Sequence, residues 1–246
     1  MFGTGAPIAA LHGFTLTGAQ FGALATAALQ IHAADLPGHG ATVVERVDVP
    51  TTIDAIAAWL AAFGAPVPLM GYSQGGRMAL LTALDHPALV ERLILISTSP
   101  GIADAEERRL RRHRDAVLAD RIVEIGIDRF LDEWLAHPVT SGPRLCADAA
   151  LADRTIREEN TAAGLADALR GLGQGAQPYV GDRLRELSMP VLTVSGEWDE
   201  RYARHAGDIA ARVPDGRHVS IAGSGHNVVR DAPHPLTRAV VAFCAA

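Results

Sequence analysis

Lysine is absent from this chain: all 22 of its basic residues are arginine. With no primary amine on any side chain, Schiff-base chemistry and a phosphate loop of the Gly-Lys-Ser type are excluded. Cysteine is nearly as scarce. Cys146 and Cys244 stand far apart, with no ligand spacing around either. Neither a disulfide framework nor a zinc site is supported, and both are read as packing or surface residues. Positive charge is also short: the net charge of −6 argues against nucleic acid as a partner, because such binding carries a basic footprint. Long apolar runs are missing, and Met1-Phe2-Gly3-Thr4 places no basic region ahead of an apolar stretch. The expectation is a cytoplasmic protein with neither a membrane span nor a signal peptide. Oligomeric state is not legible.

What is present is a core. A chain of 246 residues, 48% of them hydrophobic, suits one α/β domain carrying an insertion. Ile8–Leu11, Ile31–Ala34, Val67–Met70, Leu93–Ile96, Val191–Val194 and His218–Ile221 read as short strands, Ile8–Leu11 buried and Leu93–Ile96 apolar throughout. Helical patterns separate them at Ala19–Leu29, after a Thr52 N-cap, at Arg77–Leu84, at Arg201–Val213 and at Pro235–Phe243. The alternation predicts a doubly wound, mostly parallel sheet of about six strands. Residues 101–187 are far too long for a loop and have helical periodicity throughout, with Asp104 as the first N-cap. They are taken as a helical cap inserted between core segments 1–100 and 188–246.

One stretch organises the rest. In Gly71-Tyr72-Ser73-Gln74-Gly75-Gly76 an apolar strand turns sharply into a helix, and flanking glycines let the backbone pack closely enough to lift the Ser73 hydroxyl out of the sheet. The same turn aims the Gln74 N–H at any negative charge developing beside that hydroxyl. This is the nucleophile elbow of an α/β-hydrolase fold, in which the loop after the first strand supplies a second oxyanion donor, here the N–H of Phe14. His12, in that loop, is read as structural. A serine hydroxyl needs an imidazole to take its proton, and the imidazole needs an orienting carboxylate. Asp199 and His226 follow two later strands on the elbow's side of the sheet, in the order Ser, Asp, His that suits the fold. Glu197 is the rival carboxylate, and capping of the next helix is the structural alternative for Asp199.

Leu11-His12-Gly13-Phe14, Asp35-Leu36-Pro37-Gly38-His39-Gly40 and the elbow are generic to α/β-hydrolases. Three further segments are more specific: Ser99-Pro100-Gly101-Ile102 ahead of Glu106–Arg111, Phe130–Trp134, and Leu169-Arg170-Gly171-Leu172-Gly173-Gln174-Gly175-Ala176-Gln177-Pro178. With these the chain resembles, over nearly its whole length, the 2-succinyl-6-hydroxy-2,4-cyclohexadiene-1-carboxylate synthase family, pyruvate-eliminating lyases of menaquinone biosynthesis. The resemblance implies a small polycarboxylate substrate bound by Arg77, Arg111 and Arg157 in a pocket lined by Tyr72 and Trp134, with no metal or organic cofactor. Arginine suits that role as a fixed cationic fork. Two departures fall at positions that help shape the family's pocket wall: Tyr179-Val180-Gly181 after Gln177-Pro178, and Val139-Thr140 after Pro138. The alternatives are a serine carboxylesterase or carbon–carbon bond hydrolase with the same triad, and a non-catalytic binding protein on the same fold.

Overall fold

The computed structural model describes residues 1–42, 44–137 and 145–246. Six strands, β1 (Ala6–Leu11), β2 (Leu29–Ala34), β3 (Val67–Tyr72), β4 (Val90–Ile96), β5 (Val191–Gly196) and β6 (Gly216–Ile221), form one sheet in the order β2-β1-β3-β4-β5-β6, parallel throughout. Helices α1 (Val49–Ala61) and α2 (Gln74–Asp85) precede β4. Helices α3 (Ala105–Leu135), α4 (Ala147–Glu158) and α5 (Ala162–Leu172) fall between β4 and β5, while α6 (Glu200–Arg212), α7 (Val228–Asp231) and α8 (Pro233–Cys244) complete the chain.

A parallel sheet must bury both faces, and strand alternation divides its side chains accordingly. Leu11, Leu69, Leu93, Leu95 and Val191 join Ile53, Ile56 and Leu60 of α1, Met78 to Leu84 of α2 and Ile209 of α6 in one cluster. Ile8, Met70, Ile94, Ile96 and Val194 turn the other way, toward Phe21, Val229, Leu236, Val240 and Phe243. Strand order reverses beside β1, since β2 lies on one side and β3 on the other. Ligands of open α/β sheets bind at such a reversal, beyond the strands' carboxyl ends.

Several boundaries differ from the sequence expectation. Helix α1 is capped by Asp48, whose Oδ1 accepts from the Thr51 N–H at 2.9 Å, rather than by Thr52, which is buried within the helix. Pro50 accounts for the shift, because a first turn tolerates a residue with no N–H. The pattern at Ala19–Leu29 forms only a 3₁₀ turn, Gly18–Leu24, because β2 begins at Leu29 to pair with Ala6. Helix α3 starts as expected: Asp104 Oδ1 accepts from the Glu107 N–H at 2.7 Å, and Glu106 and Glu107 face the helix N-terminus.

Gly126, at φ 77° and ψ 169°, interrupts α3. Helices α3 and α5 build an apolar cluster of their own from Ile122, Phe130, Leu131, Leu165 and Leu169, and Phe14 from the end of β1 packs against it. Where the chain returns from this helical segment, the Val180 N–H donates to the Pro100 carbonyl at 2.9 Å. Among the described residues no helix is long and apolar enough to cross a membrane.

Candidate active site

Strand β3 ends at Tyr72 and α2 begins at Gln74, so Ser73 alone carries the reversal, at φ 51° and ψ −107°. A positive φ in a residue with a Cβ stores about 1–3 kcal/mol, and the surroundings must hold it. Three hydrogen bonds do: Ser73 N–H to the Ile96 carbonyl at 2.9 Å, Thr98 Oγ1 to the Ser73 carbonyl at 2.9 Å, and Gly75 N–H to the His12 carbonyl at 2.9 Å. The last also explains Gly75, where a Cβ would collide with the Leu11 carbonyl.

Ser73 Oγ lies 3.0 Å from His226 Nε2, and His226 Nδ1 lies 2.6 Å from Asp199 Oδ2. The short bond to the carboxylate puts the imidazole proton on Nδ1 and leaves the Nε2 lone pair facing the serine hydroxyl. The second oxygen of Asp199, Oδ1, accepts from the Tyr202 N–H at 3.3 Å and caps α6. Orienting and capping are therefore not alternatives; one carboxylate does both. Glu197 points elsewhere, accepting from the Gly223 N–H at 2.8 Å.

His12 is fully buried and accepts from the Leu36 N–H through Nε2 at 2.9 Å, so its Nδ1–H donates to the Gly13 carbonyl at 2.9 Å. Burial lowers its pKa and keeps it neutral. It fastens the Gly13-Phe14 turn, while its own carbonyl holds the elbow through Gly75. Gln74 opens α2, so its N–H has no intrahelical acceptor.

Above Ser73 opens a cavity of about 580 Å³, lined by six arginines, Arg77, Arg111, Arg114, Arg157, Arg201 and Arg230, against two acids, Asp115 and Asp199. Arg77, one helical turn after Ser73, is buried; its Nη2 donates to the Leu172 carbonyl at 2.8 Å, and its Nε has no partner among the described residues. Burial pushes its pKa down to about 10. Arg111 is held by Asp115 at 2.7 Å and by Gln174 Oε1 at 2.6 Å. Arg157, also buried, bonds Asp153 through Nε at 2.9 Å and Nη2 at 3.2 Å, and reaches Thr15 Oγ1 through Nη1. Tyr72 is buried with its ring 5.6 Å from that of His226, and burial raises its phenol pKa. Trp134 lines the cavity and also packs edge-on against Phe14 at 5.5 Å.

All ten residues singled out in the sequence thus border or support one space. Sequence reasoning missed Asp115 and Asp153, whose i,i+4 spacing to Arg111 and Arg157 was the available signal. It also missed Tyr202 and Arg230, which lie three and four residues beyond Asp199 and His226. One expectation is overturned: Tyr179, Val180 and Gly181 do not border this cavity. Val180 is buried in the core and the Tyr179 hydroxyl accepts from Arg212 at 3.4 Å, so the family's pocket-wall role does not carry over to these positions. Val139 and Thr140 lie outside the described residues. Among the described residues no group of histidine, cysteine or carboxylate side chains is arranged to hold a metal ion.

The alpha/beta hydrolase family model matches residues 8–239. The chain belongs to that family. This hydrolase-family chain is 37% identical over 178 residues to a Bacillus subtilis (strain 168) protein provisionally named 2-succinyl-6-hydroxy-2,4-cyclohexadiene-1-carboxylate synthase, a match covering 72% of this chain and 65% of that protein. The match therefore spans just under two thirds of that relative's length. It is 33% identical over 197 residues to the Serratia proteamaculans (strain 568) synthase of the same name, covering 76% and 75% of the two chains. Among solved structures, MenH from S. aureus superposes with a TM-score of 0.93 at 27% identity, covering 98% of this chain and 93% of that one. A malate-bound esterase from Thermogutta terrifontis gives 0.80 at 24% identity, covering 99% and 91%, which is a likeness of fold.

Proposed function

We propose that this hydrolase-family chain is a carbon–oxygen lyase that eliminates pyruvate from the enolpyruvyl-bearing cyclohexene carboxylate of menaquinone biosynthesis, giving 2-succinyl-6-hydroxy-2,4-cyclohexadiene-1-carboxylate. The sequence similarity to synthases of that name supports it. The observation that carries it is Arg77. A buried guanidinium beside the nucleophile, with no carboxylate bonded to it among the described residues, bears a desolvation cost that the Leu172 carbonyl and nearby Asp115 offset only in part and that an anionic ligand would offset further. A neutral ester gains nothing from it.

In this reading Ser73 passes its proton to His226 Nε2, and Asp199 stabilises the imidazolium. The serine oxygen abstracts a ring proton, regaining its hydroxyl. The electrons of that C–H bond form the new ring double bond and break the C–O bond to enolpyruvate, which takes the proton from His226 and tautomerises to pyruvate. The N–H groups of Phe14 and Gln74 stabilise charge developing on the substrate. Arg77, Arg111 and Arg157 bind its carboxylates, with Tyr72 and Trp134 as walls. Helices α3, α4 and α5 of the segment between β4 and β5 act as a cap that closes the site from above. We place the enzyme in the cytoplasm, in keeping with its two free cysteines.

Pyruvate release from the precursor tests this, with p-nitrophenyl acetate as an ester control. Wild-type protein is expected to release pyruvate and barely touch the ester, Ser73→Ala to abolish release, and Arg77→Gln to raise KM by about tenfold or more. An inert precursor alongside rapid, Ser73-dependent ester cleavage would overturn the lyase reading in favour of a hydrolase.

A further inference from the structure

The His226 imidazole is held at its edge by two hydrogen bonds, Nδ1 to Asp199 and Nε2 to Ser73. These fix the line through the two ring nitrogens. They hold the ring less well along its own normal, and displacement that way carries Nε2 out of line with the serine hydroxyl, weakening the bond as its angle opens. Something packed on the ring must resist it.

Two phenol rings touch the imidazole. Tyr202 is the nearer, its centroid 4.4 Å away at an interplanar angle of 50°, against 5.6 Å for Tyr72. Tyr202 is itself held. It is the third residue of α6 and only 9% exposed, and its N–H donates to Asp199 Oδ1 at 3.3 Å. The Arg201 guanidinium lies over the Tyr202 ring at 5.8 Å. Asp199, Tyr202 and His226 therefore close a triangle: one carboxylate oxygen on the imidazole, the other on the tyrosine backbone, and the tyrosine ring against the imidazole.

We propose that Tyr202 is a positioning residue that sets the plane of the His226 imidazole, and that it acts through its ring rather than its hydroxyl. The inference rests on His226 serving as the base in the reading above. The rigid face supplies what the two hydrogen bonds lack, resistance to displacement along the ring normal, so Nε2 keeps its aim at Ser73 through each proton transfer.

Tyr202→Phe and Tyr202→Leu test this, with Tyr202→Met as a further ring-less variant of similar bulk should the leucine variant melt early. Two readouts apply: kcat and KM measured separately, and the low-field proton resonance of the His226 Nδ1–H bonded to Asp199. Tyr202→Phe is expected to stay within about twofold of wild type in both constants, with its resonance intact. Either ring-less variant is expected to lose about tenfold or more in kcat, with KM changed less than about threefold and the resonance broadened or lost. Wild-type kcat and an unchanged resonance in a folded ring-less variant would overturn the proposal, as would a phenylalanine variant as impaired as the ring-less ones. If wild-type protein releases no pyruvate the lyase reading falls, yet the resonance still decides the role of Tyr202.

Discussion

Asp199 serves two partners with one carboxylate, and substitution can separate the two services. Asparagine caps a helix as well as aspartate does, so Asp199→Asn should still hold the Tyr202 N–H and leave the melting temperature within a few degrees of wild type. It should also lower kcat by about 10⁴, because an amide neither fixes the imidazole tautomer nor stabilises the imidazolium. Asp199→Ala loses both services, adding about 1 kcal/mol of destabilisation that chemical denaturation would read. Equal stability loss in the two variants would mean that the cap contributes nothing.

Among the elements, α3 is one whose sequence and shape disagree. Its helical pattern runs unbroken from Asp104 to Trp134, yet Gly126 leaves the helical region, and a Cβ there would meet no atom within 4 Å. The cost of Gly126→Ala is therefore purely conformational, about 1–3 kcal/mol, and should appear as a lower denaturant midpoint with an unchanged slope. A full loss of folding would point to a clash instead. This break was illegible because an isolated glycine is tolerated within a helical pattern. The strands, by contrast, were legible at all six positions: burial on both faces writes apolar runs into the inner strands such as β4 and β5, while the edge strands β2 and β6 keep polar residues and were legible from their place in the alternation. Ser73, Asp199 and His226 were legible because the fold imposes their order and their place after strands. Tyr202 was not, because its role depends on an inter-element ring contact that no local pattern encodes.

The whole molecule carries net negative charge, yet six arginines line its cavity, against Asp115 and Asp199 in the lining and Asp153 and Asp231 just behind it. A cationic cleft in an acidic protein focuses anions, so kcat/KM for the carboxylate substrate should fall with rising ionic strength while kcat holds, and Ser73-dependent turnover of a neutral ester should not share the dependence. A salt-independent kcat/KM would remove the steering argument. Acid should weaken the fold through two buried histidines. Burial lowers the pKa of His12 and takes that of His39 well below 6.5. Below pH 6.5 the unfolded chain therefore takes up protons that the native one refuses, so stability is lost as pH falls, at up to about 1.4 kcal/mol per pH unit for each proton. Melting temperatures between pH 7.5 and about 5 would check this, and a flat profile would contradict it. Finally, the bond from the Val180 N–H to the Pro100 carbonyl makes the route out of the sheet and the route back share one doorway. The entropy of loop closure grows only slowly with length, so closing that doorway costs little more for a long insertion than for a short one. Evolution could alter the exposed parts of the helices above the doorway while Leu172 and the serine relay it braces through Gln74 and Arg77 are kept, letting substrate range and reaction machinery be inherited as largely separate parts.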